Sequence, residues 1–539
     1  MDAPDRRATA SPMSGLMMDR PLAVSAIAER AGTVFGDREV VSRTMTGLER
    51  STYADVLVRA RRLASALREL GIGPGDRVAT FGWNSVRHLE LYLAVPSLGA
   101  VLHTLNIRLF ADDLRYIVEH AEDRVLFFDA SLAGTLPGLP GIVHRVVMPD
   151  APSGAVDALP YEDLVEAGDP AFAFPEIDER RAAAMCYTSG TTGRPKGVVY
   201  SHRSIALYTL MANQPDAFGI GEVDSVMPLV PMFHANAWGL PYIAAAAGAR
   251  QVMPGPAPTP QDIVELITDE SVTISAAVPT VWQTVVDLPG HHSLAPLREA
   301  ICGGSAVPET LIRAFDERFG VPVVQGWGMT ETSPLAAISR LPAGPDLSLD
   351  QQYALRAVQG RVLPFLEARL DATAGNELQV RGPTIARGYY RDESASSSFT
   401  DDGWLRTGDV AEIDERSYVR IVDRTKDLVK SGGEWISSVE LEMAALAHPA
   451  VAEAAVVAVP HPRWGERPCM FVVPRSGKRE QLDAAAMRAF LKERVAGWWL
   501  PDHIELVDEI PKTSVGKLDK NELRRRIADG DVPIPRTDR

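Results

Sequence analysis

Through its first 420 residues the chain alternates short apolar runs with stretches whose apolar positions recur every three or four residues, the pattern of layered strands and helices. Thr52 reads as the N-cap of a helix from Tyr53 to Leu70, with Gly71 as its stop. The turn Gly73-Pro74-Gly75-Asp76 leads into a strand at Arg77 to Phe81. Further strands are predicted at Arg124 to Phe128, Ala182 to Tyr187, Ser225 to Val230, Thr273 to Val278, Ala300 to Cys302 and Val321 to Val324. Several end in glycine, proline or polar clusters, which suits a site built on strand ends. Near residue 360 the texture changes, and Glu377 to Val380, Val410 to Ile413 and Tyr418 to Val422 read as short strands of a smaller β-rich subdomain. Beyond Asp423-Arg424 the order becomes helix (Ser437 to Ala447), strand (Val451 to Val459), strand (Met470 to Val473) and helix (Ala484 to Val495). That remainder is long enough for a separate α+β domain.

Composition adds bounds. The 539 residues exceed what one core can hold. A net charge of −16 argues against nucleic-acid binding as the main role. Three cysteines, Cys186, Cys302 and Cys469, give neither a disulfide framework nor a paired metal spacing, and point to a reducing cytoplasm. Residues 1–20 carry charges without an apolar core, so no signal peptide is expected. A disordered extension is expected at 1–18, with Met13, Met17 and Met18 as alternative starts.

The strongest chemical signal is Thr188 to Gly197, Thr-Ser-Gly-Thr-Thr-Gly-Arg-Pro-Lys-Gly. Its glycines (Gly190, Gly193) and small hydroxylated residues leave backbone N–H groups uncovered, free to converge on phosphate oxygens. Thr188, Ser189, Thr191 and Thr192 add hydroxyl donors, and Lys196 adds a point charge. The loop is expected to run from the strand ending at Tyr187 to a helix starting at Ser201. It lacks the Gly-Lys-Ser/Thr spacing of a Walker loop. Cys186 beside it is assigned to core packing.

Four further motifs follow in order. Gln325-Gly326-Trp327-Gly328-Met329-Thr330-Glu331 offers an aromatic face for a base, a hydroxyl for a phosphate and a carboxylate for a hard cation. Thr407-Gly408-Asp409 sets a carboxylate after a glycine turn, suited to accepting two ribose hydroxyl protons. Asp423 to Leu428, followed by Lys430-Ser431-Gly432-Gly433-Glu434, is a charged boundary and a glycine pair. Pro511 to Lys517 presents a lysine on a late loop.

In this order the motifs resemble those of the adenylate-forming superfamily of acyl-CoA synthetases, luciferases and peptide-synthetase adenylation domains. The likeness runs from about Leu22 to Arg525. Val230 to Trp238 and Lys430 to Ser437 look most like bacterial medium- and long-chain fatty acyl-CoA synthetases and the related methylmercaptopropionate ligases. The resemblance implies an α/β fold with a large domain at 19–422, a hinge at 423–428 pivoting on Asp423, and a small mobile α+β domain at 429–539. It implies that a carboxylic acid and MgATP give acyl-AMP and pyrophosphate, and that CoA thiol then displaces AMP.

By the same resemblance the 188–197 loop holds the β,γ-phosphates, and Glu331 with Thr188 coordinates Mg2+. Trp327 stacks on adenine beside Gly303-Gly304-Ser305, Gln325, Gly326 and Gly328; Thr330 contacts the α-phosphate; Asp409 and Arg424 hold the ribose. Lys517 serves the first half-reaction only, and Gly432, Gly433 and Glu434 meet the CoA arm in the second. His234 lines the acyl/CoA junction, and Trp238 with Gly239 forms the mouth of an acyl tunnel; core packing is the other reading of both His234 and Trp238. The partners implied are a small carboxylic acid, ATP and CoA. No membrane span is expected, peripheral membrane contact stays open, and relatives are often homodimers.

Competing readings are weaker. An amino-acid adenylation module commonly carries an Asp after the motif's Phe, whereas Phe233 is followed by His234-Ala235-Asn236-Ala237. A luciferase-like oxygenase is disfavoured; an aryl-acid or short-acid ligase is not excluded by residues alone. A non-catalytic ATP sensor would lack Lys517, Glu331 or Asp409, and all three are present. Trp498-Trp499 departs from the lysine-rich segment of many relatives.

Overall fold

The computed structural model describes residues 13–152, 156–188, 194–344, 346–513 and 517–531, apart from the side chains of 394–396. Of the extension expected at 1–18, residues 1–12 lie outside the described residues, and 13–18 are exposed and carry neither helix nor strand. Thr52 caps the helix Tyr53–Glu69 through a reciprocal box: its hydroxyl accepts from Asp55 N–H, and the Asp55 carboxylate accepts from Thr52 N–H. Val56, Leu57, Ala60, Leu63, Ala64 and Leu67 on its inner face are buried, as the spacing predicts.

Among the described residues the chain builds four sheets. The first runs in the order 159–160, 144–148, 123–129, 77–81, 101–104, 182–187, 197–201, and the second in the order 361–362, 335–338, 323–328, 299–303, 274–277, 225–228, 250–253, 39–44, 47–52. Their central strands are parallel. One apolar core runs between them, joining Val78, Val125 and Ala184 of the first to Val226, Ile274 and Ile301 of the second. Parallel strands put their carboxyl ends on one edge, where sites of this class sit.

The expectation of a strand–loop–helix around the phosphate loop is corrected here. Gly197–Ser201 is a strand, antiparallel to Ala182–Tyr187, so the loop closes a hairpin. Val198 and Tyr200 are buried while Val199 is exposed, a two-residue period too short to stand out beside so much glycine. Ser201 does cap the helix that follows, accepting from Ser204 N–H.

A third, antiparallel sheet (367–371, 377–381, 405–413, 419–424) forms the β-rich subdomain. The fourth belongs to the small domain and contains the long hairpin Val451–His461 and Gly465–Pro474, covered by helices Ser438–Leu446, Ala484–Lys492 and Lys520–Asp529. Among the described residues no helix is long and apolar enough to cross a membrane.

The two large sheets are clamped at their carboxyl edge by Asn84, just past the strand Arg77–Phe81. Its amide donates to the carbonyls of Pro228 (2.7 Å) and Val230 (2.9 Å), and its carbonyl accepts from Met232 N–H (2.7 Å). All of this is buried, so removing the side chain strands three backbone groups without water. Asn84→Ala is expected to cost about 2–4 kcal/mol in chemical denaturation, well above an ordinary surface substitution. A change below about 0.5 kcal/mol would show that the loop holds itself.

Candidate active site

The site is assembled at the carboxyl edges of both sheets. Ala182–Tyr187 delivers Thr188, whose N–H donates to the Lys196 carbonyl (2.9 Å) and whose hydroxyl accepts from Lys196 N–H (3.3 Å). This pair zips the mouth of the phosphate loop. Ser189, Gly190, Thr191, Thr192 and Gly193 lie outside the described residues.

The strand Val323–Gly328 carries Gln325 and Trp327 on one face, since side chains alternate. A register shift at Trp327/Gly328 turns the chain sharply, and a Cβ on Gly328 would sit 1.8 Å from the Pro334 carbonyl, so only glycine fits. The 3-10 turn Thr330–Thr332 follows. Tyr200 donates to the Thr330 carbonyl (2.7 Å), and Thr330 and Glu331 are buried. Among the described residues the buried Gln325 side-chain oxygen has no hydrogen-bond partner.

Asp409 is 3% exposed, and both of its oxygens are held: the Trp327 indole N–H donates to Oδ2 (3.1 Å) and Arg424 Nε pairs with Oδ1 (3.2 Å). Arg424 faces Asp409 directly across the ladder between 405–413 and 419–424. Burial pushes the Asp409 carboxyl above its ordinary range, opposed by Arg424, Trp327 and Lys517. The small domain brings Lys517 into this cluster. Burial and the neighbouring Arg424 lower its ammonium pKa to about 8, against the pull of Asp409 and Glu331. Lys517 Cε lies 3.6 Å, and Trp238 Cζ2 3.9 Å, from where a Gly304 Cβ would stand, so both side chains close over that glycine. Gly303 is equally crowded: its Cβ would stand 2.4 Å from the Gly326 carbonyl and 3.2 Å from Trp238 Cη2. Ser305 beside them is exposed.

His234 is pushed down to about 3 by burial and by Lys517, so it is neutral at pH 7. Beyond it Ala235, Asn236, Ala237, Trp238 and Gly239 all have φ between 43° and 73°, a left-handed turn. Four of the five are not glycine, and each costs about 1–3 kcal/mol of backbone strain. The surroundings enforce it: Tyr208 donates to the Trp238 carbonyl (2.8 Å), and the Asn236 side-chain oxygen accepts from Cys186 (3.3 Å). A Cβ on Gly239 would stand 2.3 Å from the Tyr208 ring. Cys186 thus packs and bonds behind the site. Burial raises its thiol to about 11, leaving it unreactive.

The Asp423 backbone belongs to the strand Val419–Arg424, while its carboxylate accepts from Ser438 N–H and hydroxyl (2.8 Å) at the start of a small-domain helix. Gly432, Gly433 and Glu434 form an exposed hairpin of the small domain; Gly432 packs on Trp464, and open space surrounds the Cβ position of Gly433. Trp498 is exposed, edge-on to Trp499 (5.9 Å between centroids). Tyr200, Tyr208, Tyr389 and Asn84 support the site, yet no local motif announced them. Only the paired tyrosines after Gly388 offered a signal.

Among the described residues no cluster of three or more carboxylates, imidazoles or thiols could hold a metal. A single buried carboxylate, Glu331, with a hydroxyl at Thr188 instead suits Mg2+, which keeps water and phosphate oxygens as most of its ligands.

Residues 28–390 match the model described as AMP-binding enzyme, and residues 440–517 the model described as AMP-binding enzyme C-terminal domain. A long-chain-fatty-acid–CoA ligase of Thermus thermophilus is 48% identical, covering 95% of this chain and 96% of its own. A 3-methylmercaptopropionyl-CoA ligase of Ruegeria pomeroyi is 42% identical, covering 96% and 99%. The crystal structure of the anthranilate CoA ligase AuaEII with anthranoyl-AMP superposes with a TM-score of 0.85 at 26% identity, covering 95% of this chain and 99% of that one. With Trp327, Arg424 and Lys517 gathered around the buried Asp409 carboxylate, the chain belongs to the AMP-binding enzymes, in the acyl-CoA synthetase branch of the adenylate-forming superfamily.

Proposed function

We propose that this protein activates a medium- or long-chain fatty acid with ATP and passes it to CoA, releasing AMP and pyrophosphate. The observation that carries this reading is the convergence of Trp327, Asp409, Arg424, Glu331 and Lys517 on one cleft.

The chemistry sets the requirements. A carboxylate must attack the α-phosphate of a polyanion, so repulsion has to be neutralised and the two held in line. The loop from Thr188 to Gly197 grips the β,γ-phosphates, and Thr330 the α-phosphate. Trp327 stacks on adenine, and the open oxygen of Gln325 suits an exocyclic amino donor. Asp409, oriented by two donors, accepts from the ribose hydroxyls. Lys517 supplies positive charge where the carboxylate meets the α-phosphate. Glu331 and Thr188 would hold Mg2+, which would supply further charge neutralisation at the phosphates. No general base is needed, because the acid is already ionised at pH 7. His234, kept neutral, lines the acyl/CoA junction without adding repulsion toward Lys517.

Asp423 is the pivot on which the small domain, 429–539, turns against 19–422. Its carboxylate anchors in the small domain while its backbone stays in the β-rich sheet. Rotation withdraws Lys517 and brings Gly432, Gly433 and Glu434 to the CoA arm. Three buried free cysteines suit a cytoplasmic setting. Trp238, laid across Gly303, gates the acyl tunnel with Gly239.

Lys517→Ala is expected to lower acyl-AMP formation by about 100-fold or more while supplied acyl-AMP is still converted to thioester. Equal loss of both steps would refute the division of labour. A second expectation concerns pH. Lys517 loses its proton as pH rises through about 8, so adenylation in the wild type falls on the alkaline side. Lys517→Arg, charged throughout, is expected to be slower and flat there. The depressed pKa also means that the unfolded chain binds the extra proton between about 8 and the ordinary 10.5. The stability cost of burying this lysine is therefore present below pH 8 and is relieved as pH rises through that window. Finally, pyrophosphate release across straight-chain acids should peak at eight carbons or longer and be sustained only with CoA. A maximum at three to five carbons, or with a methylthio acid, would mean that Trp238 closes a short pocket.

A further inference from the structure

The two walls of the cleft come from different sheets. Lys196 stands at the mouth of the hairpin in the first sheet, and Glu331 follows the strand 323–328 of the second. A third segment, Ala386 to Tyr390, leaves the β-rich sheet after 377–381 and crosses both. Ala386 N–H donates to the Glu331 carbonyl (2.7 Å), and Tyr390 N–H donates to the Gly197 carbonyl (2.8 Å). Between these two ties stands Tyr389. Its hydroxyl donates to Glu331 Oε1 (2.7 Å), and its ring face lies 4.9 Å from Lys196 Nζ. The Phe399 ring, 5.9 Å away, backs it.

This geometry keeps two opposite charges of the cleft apart. A buried carboxylate and a nearby ammonium tend to collapse into a direct ion pair, which a nucleotide would then have to break. Among the described residues no ion pair joins Lys196 to Glu331, and Tyr389 contacts both. Its hydroxyl engages one oxygen of the carboxylate and leaves the other for a cation. Its ring holds the ammonium by a cation–π contact that leaves the N–H donors free.

We propose that Tyr389 is a positioning residue that sets the carboxylate of Glu331 for Mg2+ and the ammonium of Lys196 for the terminal phosphates before nucleotide arrives. This rests on the adenylate-forming reading above and adds a residue that none of its motifs includes.

The test is titration calorimetry of the full chain with ATP, once with excess chelator and once with Mg2+, on wild type, Tyr389→Phe, Tyr389→Leu and Glu331→Gln. Phenylalanine keeps the ring and loses only the hydroxyl. Tyr389→Phe is expected to bind metal-free ATP within about twofold of wild type, while the gain in affinity from Mg2+ falls about tenfold, the worth of one hydrogen bond to a charged group. Tyr389→Leu is expected to lose that gain and also to weaken metal-free ATP about threefold, the worth of an exposed cation–π contact. In Glu331→Gln, adding Tyr389→Phe should change the Mg2+ gain no further. A merely structural tyrosine would weaken both forms by the same factor, and that result, or an unaltered Mg2+ gain in Tyr389→Phe, would overturn the proposal. If wild type bound ATP with no response to Mg2+, the adenylate-forming reading itself would fall.

Discussion

The buried carboxylate of Asp409 is the constraint on which the rest depends. A carboxyl group 3% exposed is tolerated only when several donors converge on it. Here they come from three places: the Trp327 indole of the nine-stranded sheet, the Arg424 guanidinium of the β-rich sheet, and the charge of Lys517 from the small domain. Satisfying one acid therefore fixes the relative placement of three units of the chain. The same donors leave both oxygens of this acid in a fixed orientation, as the proposed ribose contact requires.

A second feature of the cleft is stored strain. The left-handed turn Ala235 to Gly239 runs against the preference of alanine and tryptophan, and persists because its surroundings over-determine it. Asn84 fixes the approach through Pro228, Val230 and Met232, while Tyr208 and Cys186 fix the turn itself. The outcome is a tryptophan laid across Gly303 and Gly304 beside Lys517.

Electrostatics in the cleft is tuned rather than maximal. Lys517, with a pKa of about 8, is charged at neutral pH but only loosely so, because burial and Arg424 oppose its charge. In the proposed reaction a polyanionic nucleotide would favour the charged form of this lysine. His234, neutral and adjacent, keeps the local field from becoming uniformly positive.

The sequence by itself determined the alternation of strands and helices, the cap at Thr52, the helix that begins at Ser201, and the order of the motifs that carry Glu331, Asp409, Arg424 and Lys517. Those features are legible because they are local: a capping box spans four residues, and a motif's chemistry lies in its own residue types. The strand Gly197–Ser201 was hidden because five residues carry too little period beside glycine. Only the tertiary structure decided the partners of those residues. It placed Trp327 on Asp409, Tyr389 between Lys196 and Glu331, and a left-handed turn where alanines would prefer otherwise. The physical reason is that these contacts join positions up to 193 residues apart, Tyr389 and Lys196 among them. Which long-range contact wins depends on how two sheets share one core, and that no local pattern encodes.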